Sequence, residues 1–235
     1  PPSPSPSLAD RLSPFDLDLH DFPRTGRGVR TLRDRAPGEV VLEWSDREVV
    51  HAERALDVRP DLAAAAEYAS EVAGMPMTEE DVIACCAVLE ERDEGGEGAD
   101  GGCTAVWRGT LPVRVTSGLE LSDSPGRWLL PRCYLSAVDA TRDHAARQHA
   151  RCVACLKATG GGLDDADAAA RLPIGRYLRA ISAVRSRAFA LDGEEFRLGP
   201  PSPHVLRRDE RRTVILPLCD SMNHRGGART RIERG

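Results

Sequence analysis

The sequence predicts an α+β fold. Three observations carry that reading. Short apolar or β-branched runs lie near both ends, at Val29, Val40–Leu42 and Thr213–Leu218. Helical periodicity fills the long stretch between them. The two kinds of segment are segregated, whereas a parallel sheet would need them to alternate.

The elements follow in chain order. Residues 1–14 are Pro/Ser-rich and read as a flexible lead. From Gly26 to Ser45, turn residues Pro37-Gly38 separate Val29 from Val40-Val41-Leu42, which predicts two strands paired as a hairpin. From His51 the period changes. Pro60-Asp61 is a helix start, and Leu62, Ala65, Ala66, Ala69 and Val72 form its apolar stripe. Thr78 followed by Asp81 resembles a capping box, with Val82, Cys85, Cys86 and Leu89 as the buried stripe of the next helix. Glu94–Gly102 is Gly/Glu-rich and reads as a mobile loop. Thr104–Pro131 is irregular, anchored by Trp107 and Trp128. Leu135–Leu156 reads as helix, broken by Gly160–Gly162. Ile174–Leu191 reads as helix, with Tyr177, Leu178, Ile181, Val184 and Ala188 on one face. Gly199–Pro203 is a turn, and Thr213–Leu218 is a strand running into Asp220–His224.

Composition narrows the function classes. The chain has 235 residues and 41% hydrophobic residues, enough for a packed core. Its net charge of -5 supplies no basic field for nucleic acid. No apolar run approaches the ~18 residues that span a bilayer. Lys157 is the only lysine, so arginine is the default cation and individual arginines carry little signal. Seven cysteines lack the spacing of a disulfide scaffold, which predicts an intracellular, reducing compartment. Cytoplasm, nucleus and plastid all satisfy that.

Four stretches are candidates for chemistry. Gly26-Arg27-Gly28 lets backbone approach a ligand, although an ordinary turn explains it equally. Arg185-Ser186-Arg187-Ala188-Phe189 ends a helix, where arginines match the helix dipole or hold a carboxylate. Leu216-Pro217-Leu218-Cys219-Asp220-Ser221-Met222-Asn223-His224 runs from an apolar strand into a polar loop, a common place for a site. His144, His149, Cys152 and Cys155 have the ligand types of a zinc site. They fall on one helix, however, and one straight helix cannot wrap four ligands around an ion. No metal is expected.

The order Gly-Arg-Gly, Gly-Glu-Val-Val-Leu-Glu, Arg-Ser-Arg-Ala-Phe, Leu-Pro-Leu-x-Asp-x-x-Asn-His resembles the SET-domain protein methyltransferases. More narrowly, it is similar to the branch with a long helical insertion, which includes the Rubisco large-subunit lysine methyltransferases and the actin-histidine methyltransferases. The resemblance covers most of the chain after Phe15 and is loosest over Cys103–Leu172. It implies a flexible lead (1–14) and one SET domain over 15–235. That domain divides into a first half (15–50), a helical insertion (51–175) and the start of a second half (176–235). The implied fold is a SET-type β fold of short strands interrupted by the insertion and incomplete at the C-terminus.

The resemblance further implies S-adenosylmethionine as cofactor and a protein substrate, with neither nucleic acid nor membrane as partner and the chain a monomer. Methyl would pass to a lysine, less readily a histidine, of a non-histone protein. Arg27 and Gly28 would lie along the cofactor through their backbones, and Glu43 at its edge. Arg187 would hold a carboxylate in a guanidinium fork and border the substrate. Asn223 would bind the cofactor's amino-acid end and His224 its adenine, with Asp220 by the substrate channel. The insertion would wall the substrate groove. The family's active-site tyrosine lies downstream of Asn-His, whereas Tyr68, Tyr134 and Tyr177 all lie upstream. No catalytic residue is therefore assigned. The alternative expectation is a catalytically dead SET fragment acting as a protein-binding module.

Overall fold

In the computed structural model, the centre of the molecule is a helix buried nearly all round. The structure describes residues 12–23, 26–45, 47–93, 102–111, 119, 129–194, 196, 198–207, 210–219 and 232–233, with only the backbone at 26 and 27. Two antiparallel strands come first, β1 (Leu17–Phe22) and β2 (Gly26–Thr31). Then follow β3 (Val50–His51), α1 (Ala52–Val58), α2 (Pro60–Glu71), β4 (Met77–Thr78), α3 (Glu79–Asp93) and α4 (Ala105–Thr110). Next come α5 (Arg132–Thr159), α6 (Asp165–Arg171) and α7 (Ile174–Arg187). Strands β5 (Phe189–Asp192), β6 (Val205–Leu206) and β7 (Arg211–Ile215) follow. The architecture is α+β.

The sheets are small. β7 lies between β3 and β5, antiparallel to both. β4 and β6 pair in parallel, so the chain leaves and rejoins that pair around the helices. Among the described residues, no helix is long and apolar enough to cross a membrane.

Local chemistry starts and stops the helices. At α3, the Thr78 N–H donates to Asp81 Oδ2 (3.1 Å) and the Asp81 N–H donates to Thr78 Oγ1 (3.1 Å). That is the reciprocal cap expected from the sequence. Pro60 opens α2 at its first turn, where its missing N–H costs nothing. Leu62, Ala65, Ala66 and Ala69 are its buried stripe as expected, but Val72 caps the helix and is 68% exposed. In α3 the expected stripe proves too narrow, because every residue from Asp81 to Glu90 is buried. A helix apolar on all sides is a central one. It packs against α1, α2, α5 and α7.

Three expectations are corrected. Val40–Leu42 forms no strand, and β2 pairs instead with Leu17–Phe22. Val41 and Leu42 spend their apolar surface on a small satellite core around Leu12, Leu17 and Leu218, and β-propensity yields to that packing. The helix from Ile174 stops at Arg187, short of Leu191, because Phe189–Asp192 finds a partner strand in β7. Within the flexible lead expected over 1–14, Leu12 is buried and Ser13–Phe15 forms a 3-10 turn; residues 1–11 lie outside the described residues. Helix α6 was not expected. Asp164 caps it, accepting from the Asp167 N–H at 2.8 Å. The loop expected over Glu94–Gly102 falls, up to residue 101, outside the described residues, as does Trp128.

Buried polar groups tie the helices together. Asp81 accepts from the Tyr177 hydroxyl (2.7 Å) and the Gln148 amide (3.2 Å), joining α3 to α7 and α5. Gln148 Oε1 accepts from Arg185 (2.9 Å), whose Nε donates to Glu80 (3.0 Å). On the opposite side, Arg212 of β7 is almost wholly buried and pairs with Glu79 of α3 and Glu53 of α1. These pairs fix the sheet against the helical unit.

Candidate functional site

The four motif segments are far apart in the chain, and the fold brings the described parts of them to the C-terminal end of β7. β5 begins immediately after Arg187, and its first residue, Phe189, pairs with Val214 near the end of β7. The Arg-Ser-Arg-Ala-Phe segment therefore lies beside the point where β7 runs into Leu216-Pro217-Leu218. The Trp44 indole N–H donates to the Pro217 carbonyl (2.9 Å), across 173 positions of sequence. That bond attaches the Gly-Glu-Val-Val-Leu-Glu segment to the same place. Val29 of β2, with Val41 and Leu42, packs on the small core that contains Leu218. The strand bearing Gly26-Arg27-Gly28 thus joins the group.

The residues expected to bind cofactor or substrate fall as follows. Arg27 and Gly28 lie on β2, opposite Asp21 and His20 of β1. The other edge of β2 bonds to no strand among the described residues. Glu43 is exposed in chain without regular structure, so it does not follow a strand as expected. Arg187 is half-buried as the last residue of α7. Asp220, Asn223 and His224 lie outside the described residues. Leu218, two residues before Asp220, is buried with a left-handed backbone (φ 76°).

Beside this region a cleft of about 510 Å³ opens between α5 and α7. Tyr134, Val138 and Thr141 line one side; Ser182, Arg185 and Ser186 line the other. Ser182 Oγ is buried without a hydrogen-bond partner among the described residues. Arg185 serves the Glu80–Gln148 network, so its charge is already matched. Ser182 and Trp44 were not singled out in the sequence. Ser182 stands three and four residues before Arg185 and Ser186, so helical spacing alone could have placed it on their face.

The ligand-like set on α5 separates. His149 Nε2 meets the Leu172 carbonyl at 2.6 Å. Cys152 and Cys155 are buried, and the Cys152 thiol bonds to that of Cys85. Burial and the charges of Asp81 and the neighbouring thiols hold the Tyr177 hydroxyl far above its ordinary range. It is a hydrogen-bond donor locked in the core, remote in chemistry from an active-site phenol.

Comparison of the chain with protein families, curated proteins and solved structures found no match.

Proposed function

We propose that the chain is a SET-type, S-adenosylmethionine-dependent protein methyltransferase with a helical insertion, acting on a lysine, or secondarily a histidine, of a non-histone protein. One observation carries this reading. The described parts of four segments, chosen on the sequence for their resemblance to the family's motifs, meet at one end of the β3-β7-β5 sheet. Unrelated short matches would have no reason to converge.

The residues in place suit the cofactor in kind. Arg27 and Gly28 are successive residues of an antiparallel pair, so one of the two turns its N–H and C=O away from β1, along an edge that bonds to no other strand among the described residues. The half-buried guanidinium of Arg187 suits a carboxylate. Bound S-adenosylmethionine would supply a methyl group, taken in line by an uncharged amine as the carbon–sulfur bond breaks. The chain's part is alignment and exclusion of water. A buried approach lowers a lysine's pKa and so favours the neutral amine. The cleft between α5 and α7, next to the Arg-Ser-Arg segment, is the surface we assign to the protein substrate.

The test is ligand-induced stabilisation followed by transfer. S-adenosylmethionine at about 100 times its dissociation constant should stabilise the fold by about 2.7 kcal/mol. Arg187→Ala should reduce that effect. No stabilisation by either S-adenosylmethionine or S-adenosylhomocysteine would sink the proposal. Stabilisation without transfer of labelled methyl to any protein would favour the binding-module alternative.

A further inference from the structure

Buried thiols meet in two pairs, Cys85 with Cys152 and Cys86 with Cys103. Among the described residues, the second pair has a further ligand atom within 4.8 Å of both sulfurs. Cys86 and Glu90 stand four residues apart on α3, and Cys103 lies just before α4. Their sulfur and oxygen atoms all lie within 4.8 Å of one another, and all three residues are buried. We propose that Cys86, Glu90 and Cys103 form a binding site for a thiophilic divalent cation, zinc being the best fit, with its fourth position left to solvent. The sequence alone predicted no metal, and this site is distinct from the residues that first suggested one. It is independent of the methyltransferase reading.

The distances carry the argument. Zinc binds thiolate at about 2.3 Å and carboxylate oxygen at about 2.1 Å, which at a tetrahedral angle separates two sulfurs by about 3.8 Å and sulfur from oxygen by about 3.6 Å. Cys86 Sγ lies 3.6 Å from Cys103 Sγ and 3.5 Å from Glu90 Oε1. Two of the three spacings thus match those an ion would impose, and the third lies within 4.8 Å.

The carboxylate is also pre-aimed. Glu90 Oε1 accepts from the Cys103 N–H (2.7 Å), and Oε2 accepts from the Thr104 N–H (3.0 Å) and the Thr104 hydroxyl. The remaining acceptor site on Oε1 takes the Cys86 S–H. That proton is one an arriving cation would displace. The backbone closes tightly around the group: a Cβ at Gly102 would stand 2.1 Å from Glu90 Cδ.

Charge completes the case. Two thiolates, one carboxylate and a divalent ion sum to one negative charge. Arg108 lies 3.8 Å from Glu90 Oε2 and brings the sum to zero. Without an ion, two thiolates beside a buried carboxylate repel each other. Hydrogen bonds to the loop account for Glu90 alone. They do not account for two thiols packed against it.

The experiment starts from reduced protein stripped with a chelator and then titrated with zinc chloride or cobalt(II) chloride. The expected result is about one ion per chain, a thiolate-to-cobalt charge-transfer band and release of about two protons. Cys103→Ser should abolish the band, whereas Cys133→Ser, at an exposed thiol, should leave it intact. Thr104→Val removes only the hydroxyl held by Glu90 and should weaken zinc binding about 10- to 100-fold. It covers the case in which cysteine variants do not fold. Three results would overturn the site. They are absence of the band from folded wild-type protein, unchanged affinity in Cys103→Ser, and a Cys86–Cys103 disulfide as the stable form in reductant with zinc.

Discussion

Tyr177→Phe isolates one hydroxyl in the core. The ring of Tyr177 is fully buried, and its hydroxyl donates to Asp81 Oδ1 at 2.7 Å. Phenylalanine keeps the ring's packing and deletes only the donor. Asp81 is 1% exposed, and its other oxygen is already shared by the Thr78 N–H and the Gln148 amide. No water reaches Oδ1 to replace the lost bond. A hydrogen bond to a charged group contributes about 1.5–3 kcal/mol, and stranding the acceptor adds to the loss. The expected cost is therefore about 2–3 kcal/mol, or a fall in Tm of about 4–12 °C for a chain of this size. Urea unfolding, followed by tryptophan fluorescence and circular dichroism together, measures it as a shift in midpoint at constant slope. Tyr134→Phe, at a ring that is 62% exposed, should change stability by less than about 0.5 kcal/mol. If Tyr177→Phe is as mild as Tyr134→Phe, the hydrogen bond to Asp81 does not hold α7 against α3, and the account of the helical core is wrong.

Three further outcomes are expected. Burial, and then the charges of Arg212 and Arg54, push His51 down to about 4. An unfolded histidine titrates near about 6.5, so the folded form rejects the proton; His51's contribution is complete above about pH 6.5 and lost as pH falls toward 4, a change of up to about 3 kcal/mol. Urea midpoints between pH 7 and 4.5 should fall less steeply in His51→Asn, and parallel profiles would exclude the assignment. Trp44→Phe removes the bond to the Pro217 carbonyl, worth about 1 kcal/mol. If the proposed methyltransferase reading holds, calorimetric titration should then show S-adenosylmethionine binding about fivefold more weakly, and equal affinity would show that this bond does not support the proposed site. Gly160→Ala places a Cβ 2.7 Å from the Leu156 carbonyl oxygen and should cost about 1–3 kcal/mol in thermal unfolding; a neutral result would mean that the end of α5 shifts freely.

What could be read from the sequence was what is decided locally. The Thr78–Asp81 cap, the Pro60 start and the stripe of α2 depend on residues within a turn or two of each other. β1 was not expected, because Leu17 and Leu19 alternate with polar residues over too short a run to stand out. The Val40–Leu42 run misled because Val41 and Leu42 pack on the small core around Leu12, Leu17 and Leu218 rather than against a partner strand. The two-residue strands β4 and β6 carry almost no local signal; their pairing is set by helices packed between them. At the candidate site, the order of the motifs was visible but their convergence was not, because Trp44 and Pro217 are brought together by everything in between. Cys86 and Glu90 could have been paired by helical spacing. Cys103 could not, since nothing in sequence aims a residue thirteen positions on.

The arrangement of β3, β7 and β5 has a consequence for the order of assembly. Its central strand lies at residues 211–215, while its partners come from residues 50–51 and 189–192. The helical unit closes mostly short loops, but the β3–β7 pairing must close one of more than 150 residues. Contacts that span so much chain form late and slow the folding rate. The sheet end that gathers the four motif segments should thus be the last part to form. By the same reasoning, it should be among the first to open in native-state hydrogen exchange, and a ligand bound there would act as a clasp, protecting the amides of β7 before those of α3.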